Sequence, residues 1–275
     1  MIEIFDIDEL FTSWLTDYVK NECNGLTPEE IERKMPEVYD KFNEIKFEKL
    51  GDKTIQEYYE QFLISDLIYA IKDYIDAGIE PPCEMLNVII DGTTGEDELT
   101  SLLDDENDLV VLYAMRLVGD KNYKGALDKI FDILLNCSDE NMRELATEIL
   151  IENANDIKDR ILSVYYTCDE DLLPNFDEIL SNTYGDDRVF DLLVNAFNNN
   201  PDNLLFYTQL LKKYGDERAL EVLYKKADDV SIDYADYQEL RSAIESLGGN
   251  IASIRDFSLD SVYGAVKKAE EELDN

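Results

Sequence analysis

The sequence predicts an all-α protein, an α-α superhelix of stacked helical hairpins that forms a solenoid, and three observations carry that prediction. Only 12 glycines and 6 prolines punctuate the 275 residues, so long uninterrupted elements are open to the chain. Apolar residues fall three and four positions apart instead of alternating, the spacing of one helix face. A short phrase also recurs. "YGDD" at 184–187 and "YGDE" at 214–217 place Gly185 and Gly215 30 residues apart, and Gly248 follows after 33 more. Fixed periods between about 20 and 50 residues mark solenoids.

Residues 1–80 lie outside this period and are expected to form a helical N-terminal cap. The opening "IEIFDI" alternates, leaving a short strand open as a second reading of that stretch. "LTPEEIERKM" has Thr27 as cap, Pro28 in the first turn and Glu30 to complete a capping box. "TIQEYYEQFLISDLIYAIKDYIDAG" then reads as one long helix stopped by Gly78.

Residues 81–250 carry the hairpins. "LVGD" places Gly119 66 residues before Gly185, twice 33, which leaves room for one degenerate copy in 149–180. Each copy follows one grammar. After "GD" comes a first amphipathic helix, carried by Ala126, Leu127, Ile130, Ile133 and Leu134, then by Val189, Leu192, Leu193 and Ala196, then by Ala219, Val222 and Leu223. A polar turn follows; in one of them Asn200 before Pro201 reads as an N-cap with proline at the first helical position. A second helix carries Met142, Leu145, Ile149 and Leu150, or Phe176, Ile179, Leu180 and Tyr184, or Tyr234, Tyr237, Leu240, Ile244 and Leu247. Glycine then supplies the left-handed residue that closes it. A single hairpin cannot bury both apolar faces, so neighbours must stack. Residues 251–275, with "SLDSVYGAVKKAEEELDN", read as a C-terminal capping helix with an acidic outward face, the whole being one continuous domain.

At these residues a family resemblance enters. "GDERALEVL", Gly215 to Leu223, resembles the entry and first helix of the short bacterial form of HEAT-like repeats. "DENMRELATEIL", Asp139 to Leu150, is similar to the second helix, with Arg143 and Ala146 at the family's Arg and Ala positions. The resemblance covers roughly 81–250, and its period is shorter than the ~40 to 47 of longer HEAT units. The Trp, Gly, Tyr and Pro set of a tetratricopeptide is missing, and the Thr-Pro-Leu-His of ankyrin cannot occur in a chain with no histidine. The resemblance implies a curved superhelix used for binding macromolecules and no single activity.

Charge and composition narrow the chemistry. Twenty-five Lys and Arg stand against 63 Asp and Glu, a net −38, a field that repels nucleic acid and anionic membrane surfaces. The absence of histidine removes Ser-His-Asp and Cys-His catalysis and every His-containing metal site. Cys23, Cys83, Cys137 and Cys168 lack tight ligand spacing and read as reduced thiols, with Cys137 and Cys168 in equivalent turns of successive copies. The acidic start "MIEIFDIDELF" is no secretory signal, and no apolar run is long enough to span a bilayer, so a cytoplasmic protein is expected. "DDENDL" at 104–109 has Leu109 and Met115 where a calcium loop needs Gly and Glu. "DGTTGEDE" at 91–98 lacks the Lys of a phosphate loop and reads as a helix-ending turn. Of the 17 tyrosines, Tyr184, Tyr214, Tyr234 and Tyr237 fall on apolar faces and are expected in the core.

The expectation for function is a non-enzymatic interaction scaffold or adaptor with a protein partner, no cofactor and no metal. A second reading is an acidic neutraliser of a basic toxin or nuclease; a third is a lyase-like or protein-modifying helper. The expected surface consists of polar positions on the second helices: Arg143, Thr147, Glu178, Asn182, Gln209, Lys212, Gln238 and Arg241, a mix of signs less acidic than the chain as a whole.

Overall fold

The computed structural model describes residues 2–23, 26–251 and 255–273. It is all-α: among the described residues there is no strand, only an isolated bridge between Phe47 and Lys53. Two compact units divide the chain, Met1–Ile130 and Phe131–Asn275.

The first unit holds α1 (Ile7–Glu22), α2 (Pro28–Asn43), α3 (Ile55–Tyr59), α4 (Ile64–Asp76), α5 (Cys83–Asp91), α6 (Glu96–Leu102) and α7 (Asp108–Asp120). The capping box at Thr27 and Glu30 forms, and Gly78 stops α4 at φ +70°. The long helix expected over 54–78 is two helices, because the chain turns after Tyr59 and restarts at Ile64, leaving Leu63 70% exposed. That break lets the buried Tyr59 and Tyr74 hydroxyls meet at 2.6 Å. Residues 2–6 form no strand. Their extended backbone docks on tyrosines instead, with Glu3 N donating to Tyr58 Oη (3.2 Å) and Phe5 N to Tyr74 Oη (3.3 Å). Leu67, Ile68 and Ile71 of α4 form a core with Met85, Ile89, Leu99 and Met115, each such side chain contributing about 1.5–3 kcal/mol by leaving water. Of the two acid-rich loops, Asn107 caps α7 and Asp105 pairs with Lys72 (2.8 Å), while Gly92 to Gly95 turns the chain from α5 into α6.

The boundary between the units falls inside α8 (Leu127–Asn136). The second unit continues with α9 (Glu140–Glu152), α10 (Ala154–Val164), α11 (Leu173–Ser181), α12 (Asp187–Asn199), α13 (Leu204–Tyr214), α14 (Leu220–Ala227), α15 (Tyr234–Ser246) and α16 (Ser261–Leu273). The second helices α9, α11, α13 and α15 pack each on the next. Most of their expected apolar residues are buried, including Met142, Ile149, Phe176, Ile179, Leu240 and Ile244, while Leu145 and Tyr234 are half-buried.

The "GD" turns behave alike. Gly185 and Gly215 are left-handed (φ +69° and +79°), and the following Asp186 and Asp216 each accept from the backbone N–H two residues on, at 3.0 and 2.9 Å. Arg188 and Arg218 fold back on those same carboxylates at 2.7 Å. One arginine then reaches the preceding copy each time: Arg160 to Asp132 (2.5 Å), Arg188 to Asp159 (2.7 Å) and Arg218 to Asp187 (2.9 Å). Exposed pairs of this kind add little stability.

Three further expectations need correction, and one lies outside the described side chains. Gly119 lies inside α7, and the left-handed residue of that copy is Asn122 (φ +47°), a side chain that tolerates this conformation. Asn200 does not cap through its side chain, which donates to Ala196 O at 2.8 Å, and a 3₁₀ turn at Pro201–Asn203 precedes α13. Tyr184 is 76% exposed because α11 ends at Ser181 and leaves it in the turn. Tyr214, one copy later, ends the longer α13 and is buried, donating to Asp186 O at 2.8 Å. The acidic face expected of the last helix rests on Glu270, Glu271 and Glu272, which lie outside the described side chains.

Candidate functional site

Seven of the eight expected surface residues divide between two grooves and two structural roles. Arg143, Thr147 and Glu178 come together along a groove of about 480 Å³ between α9 and α11. Gln238 and Arg241 line a second, of about 470 Å³, with Tyr234, Tyr237, Phe257 and Tyr263. Lys212 of α13 donates to Ser242 Oγ of α15 at 2.8 Å, so it joins neighbouring helices. The Asn182 side chain donates to Glu178 O at 2.8 Å and finishes α11. Gln209 is exposed on α13.

Within the α9–α11 groove, two residues are more structural than the sequence suggests. Thr147 is only 4% exposed; its hydroxyl donates to Arg143 O (2.8 Å) and accepts from Asn175 Nδ2 (3.0 Å), tying α9 to α11. Arg143 donates through Nε to Cys137 O at 2.6 Å and so holds the turn that leads into α9.

The sign of the groove also differs from expectation. Glu140, Glu144 and Glu148 stand four residues apart on α9, which puts them on one helix face, and Asp171 and Glu178 face them from across the groove. Among the described residues, none of these five carboxylates makes an ion pair, and Arg143 is the only cation lining the groove. Like charges at this spacing repel, so the groove lowers its energy by taking up positive charge. Sequence reasoning missed the α9 acids because Glu is abundant throughout the chain. The signal that could have found them is the exact four-residue spacing with no Lys or Arg interleaved except Arg143.

Next to Glu178 on α11 is a buried titratable group. Asp177 of α11 is 1% exposed and accepts from Tyr165 Oη at 2.6 Å. Burial raises its carboxyl to about 7, with the hydroxyls of Tyr165 and Tyr207 countering part of the shift. Tyr207 in turn is pushed up to about 12, by burial first and by the Asp177 charge second. A carboxylate this deeply buried is closed to a substrate; through the Tyr165 hydroxyl it ties the end of α10 to α11.

Among the described residues no helix is long and apolar enough to cross a membrane, and no group of three or more acidic or thiol side chains is placed to hold a metal ion. No family model matches the chain, and no curated protein matches it significantly.

Proposed function

We propose that the chain is a HEAT-like helical-repeat protein that works in the cytoplasm as a non-catalytic interaction module, holding a basic segment of a protein partner in the α9–α11 groove. The observation that carries this reading is the row Glu140, Glu144 and Glu148 facing Asp171 and Glu178 without ion pairs. Consecutive packing of α9, α11, α13 and α15 supports the repeat architecture, and a net −38 favours fast, salt-sensitive capture of a positive partner. The charge also fits the narrower role of neutralising a basic toxin or nuclease.

The test uses the tagged full chain and its Glu144→Lys, Glu148→Lys double variant, both exposed positions on α9, on beads in lysate of the source organism. A basic protein held at low salt, released at high salt and lost from the variant is the expected result. The same protein held equally by both chains overturns the assignment of the groove.

A further inference from the structure

The first unit contains a cavity of about 670 Å³ walled by the first turns of α1 and α5, by the middle and end of α2, and by the Gly78–Pro82 connection. That volume lies in the range of small-molecule sites. One wall is aromatic: Phe11 stacks on Tyr39 at 4.5 Å between ring centres and meets Phe42 edge-on at 5.0 Å. The charged lining is all anionic, Asp6, Asp8, Glu80 and Glu84, with the neutral Asn43 and Cys83 beside it and no Lys or Arg among the lining residues.

Part of this acidity has a structural explanation. Asp6 caps α1 through Glu9 N (2.9 Å), and Glu80 accepts from Tyr113 Oη at 3.1 Å. The helix N-termini at α1 and α5 each carry the equivalent of about half a positive charge, which the nearby acids answer. Two such ends amount to about one positive charge against four carboxylates, so a negative surplus remains. Glu84 is half-buried, with its Oε2 closed off from solvent and the Cys83 thiol beside its carboxyl.

We propose that this cavity is a binding site for an organic cation, an ammonium or guanidinium on a short apolar stem, with the stem against Phe11, Tyr39 and Phe42 and the charged head among Asp8, Glu80 and Glu84. Aromatic faces and carboxylates are the two groups that attract such a head, the rings by cation–π contact and the acids by charge-assisted hydrogen bonds. The source is a free amine or an arginine or lysine side chain of a partner. The site is separate from the α9–α11 groove, and the assignment does not depend on that groove's role.

The chain supplies its own reporter. Trp14 is the only tryptophan, and its ring lies 5.4 Å from Phe42 and 6.2 Å from Phe11. The full chain is titrated with n-butylammonium and n-butylguanidinium while Trp14 fluorescence is followed, with uncharged 1-pentanol as the control, at ~0.15 M salt to screen general attraction to an acidic protein. Saturable binding of both cations with none of pentanol is expected. Glu84→Gln, which keeps the shape and removes the charge, should weaken the cations about tenfold, and so should Asp8→Asn at an exposed position. Doubly capped arginine binding more tightly than butylguanidinium assigns the site to a partner's side chain; equal or weaker binding assigns it to a free amine. Pentanol binding as well as the cations, or unchanged affinity in both variants, overturns the proposal.

Discussion

In the second unit one set of contacts occurs twice, at 185–188 and at 215–218: a left-handed glycine, an aspartate that caps, and an arginine folded onto it that also reaches an acid about 30 residues earlier, Asp159 or Asp187. The first unit relies on contacts particular to their place. Its N-terminal segment hangs on the Tyr58 and Tyr74 hydroxyls, and Phe11, Trp14, Tyr39 and Phe42 form one aromatic cluster between α1 and α2. One-off contacts make a surface particular to its place, and that is where a cavity of mixed aromatic and acidic character sits.

The comparison breaks first, and with the largest effect, at Phe176. Its ring is fully buried in α11 and stacks on Phe131 at 5.7 Å. Phe176→Ala removes that ring and leaves a void, a change that costs about 3–5 kcal/mol. Urea unfolding followed by far-UV circular dichroism sees every helix, whereas Trp14 fluorescence sees only the first unit. If the second unit is an array with its own stability, the variant lowers the dichroism midpoint and leaves the Trp14 midpoint in place. Coincident shifts of both signals would mean that the two units unfold as one.

A second test sharpens the comparison through pH. The Asp177 carboxyl sits near 7 in the fold against about 4 in an unfolded chain, so the folded state favours the protonated form. Its contribution to stability is fully present below about pH 4 and is lost as the pH rises through 7, because the buried group must then ionise. Linkage puts the loss at about 4 kcal/mol over the whole window. Thermal unfolding of the wild type should therefore fall from pH 5 to pH 8, more than in Asp177→Asn. Repulsion among the surface acids acts in the same direction and persists in the variant, so the difference between the two profiles isolates Asp177. Equal slopes would assign the pH dependence to the surface.

How much of this was legible in the sequence follows the same division. The "GD" turns at 185 and 215 were readable because turn chemistry is local: glycine reaches positive φ and aspartate caps, whatever lies around them. The Thr27 capping box was readable for the same reason. The break between α3 and α4 was not, since the apolar spacing runs on through residues 55–74 with no Gly or Pro, and the pairing of Tyr59 with Tyr74 is a tertiary event. Tyr184 and Tyr214 follow the same phrase, yet their burial differs because α13 runs further along its copy than α11. The grooves were least legible. In a chain with 63 acids, which carboxylates lack a counter-ion depends on where each of the 25 cations folds, and Thr147 looks like a surface residue until Asn175 is brought against it.

The smallest expected effect concerns the arginine ladder. Arg188 bonds Asp186 in its own turn and Asp159 in the preceding copy, both at 2.7 Å, while its side chain stays 60% exposed. Asp186 itself is more enclosed, held well below the ordinary carboxylate range by Arg188 first and, against the cost of burial, by Lys158 at 3.0 Å. Replacing Arg188 with Gln therefore removes an exposed partner and leaves the carboxylate its lysine and its backbone N–H. The midpoint of urea unfolding should fall slightly at low salt and regain the wild-type value near 1 M salt, where the Debye length is only ~3 Å. A loss that survived at 1 M salt would mean that the arginine acts through packing of its stem instead of through its charge pairs.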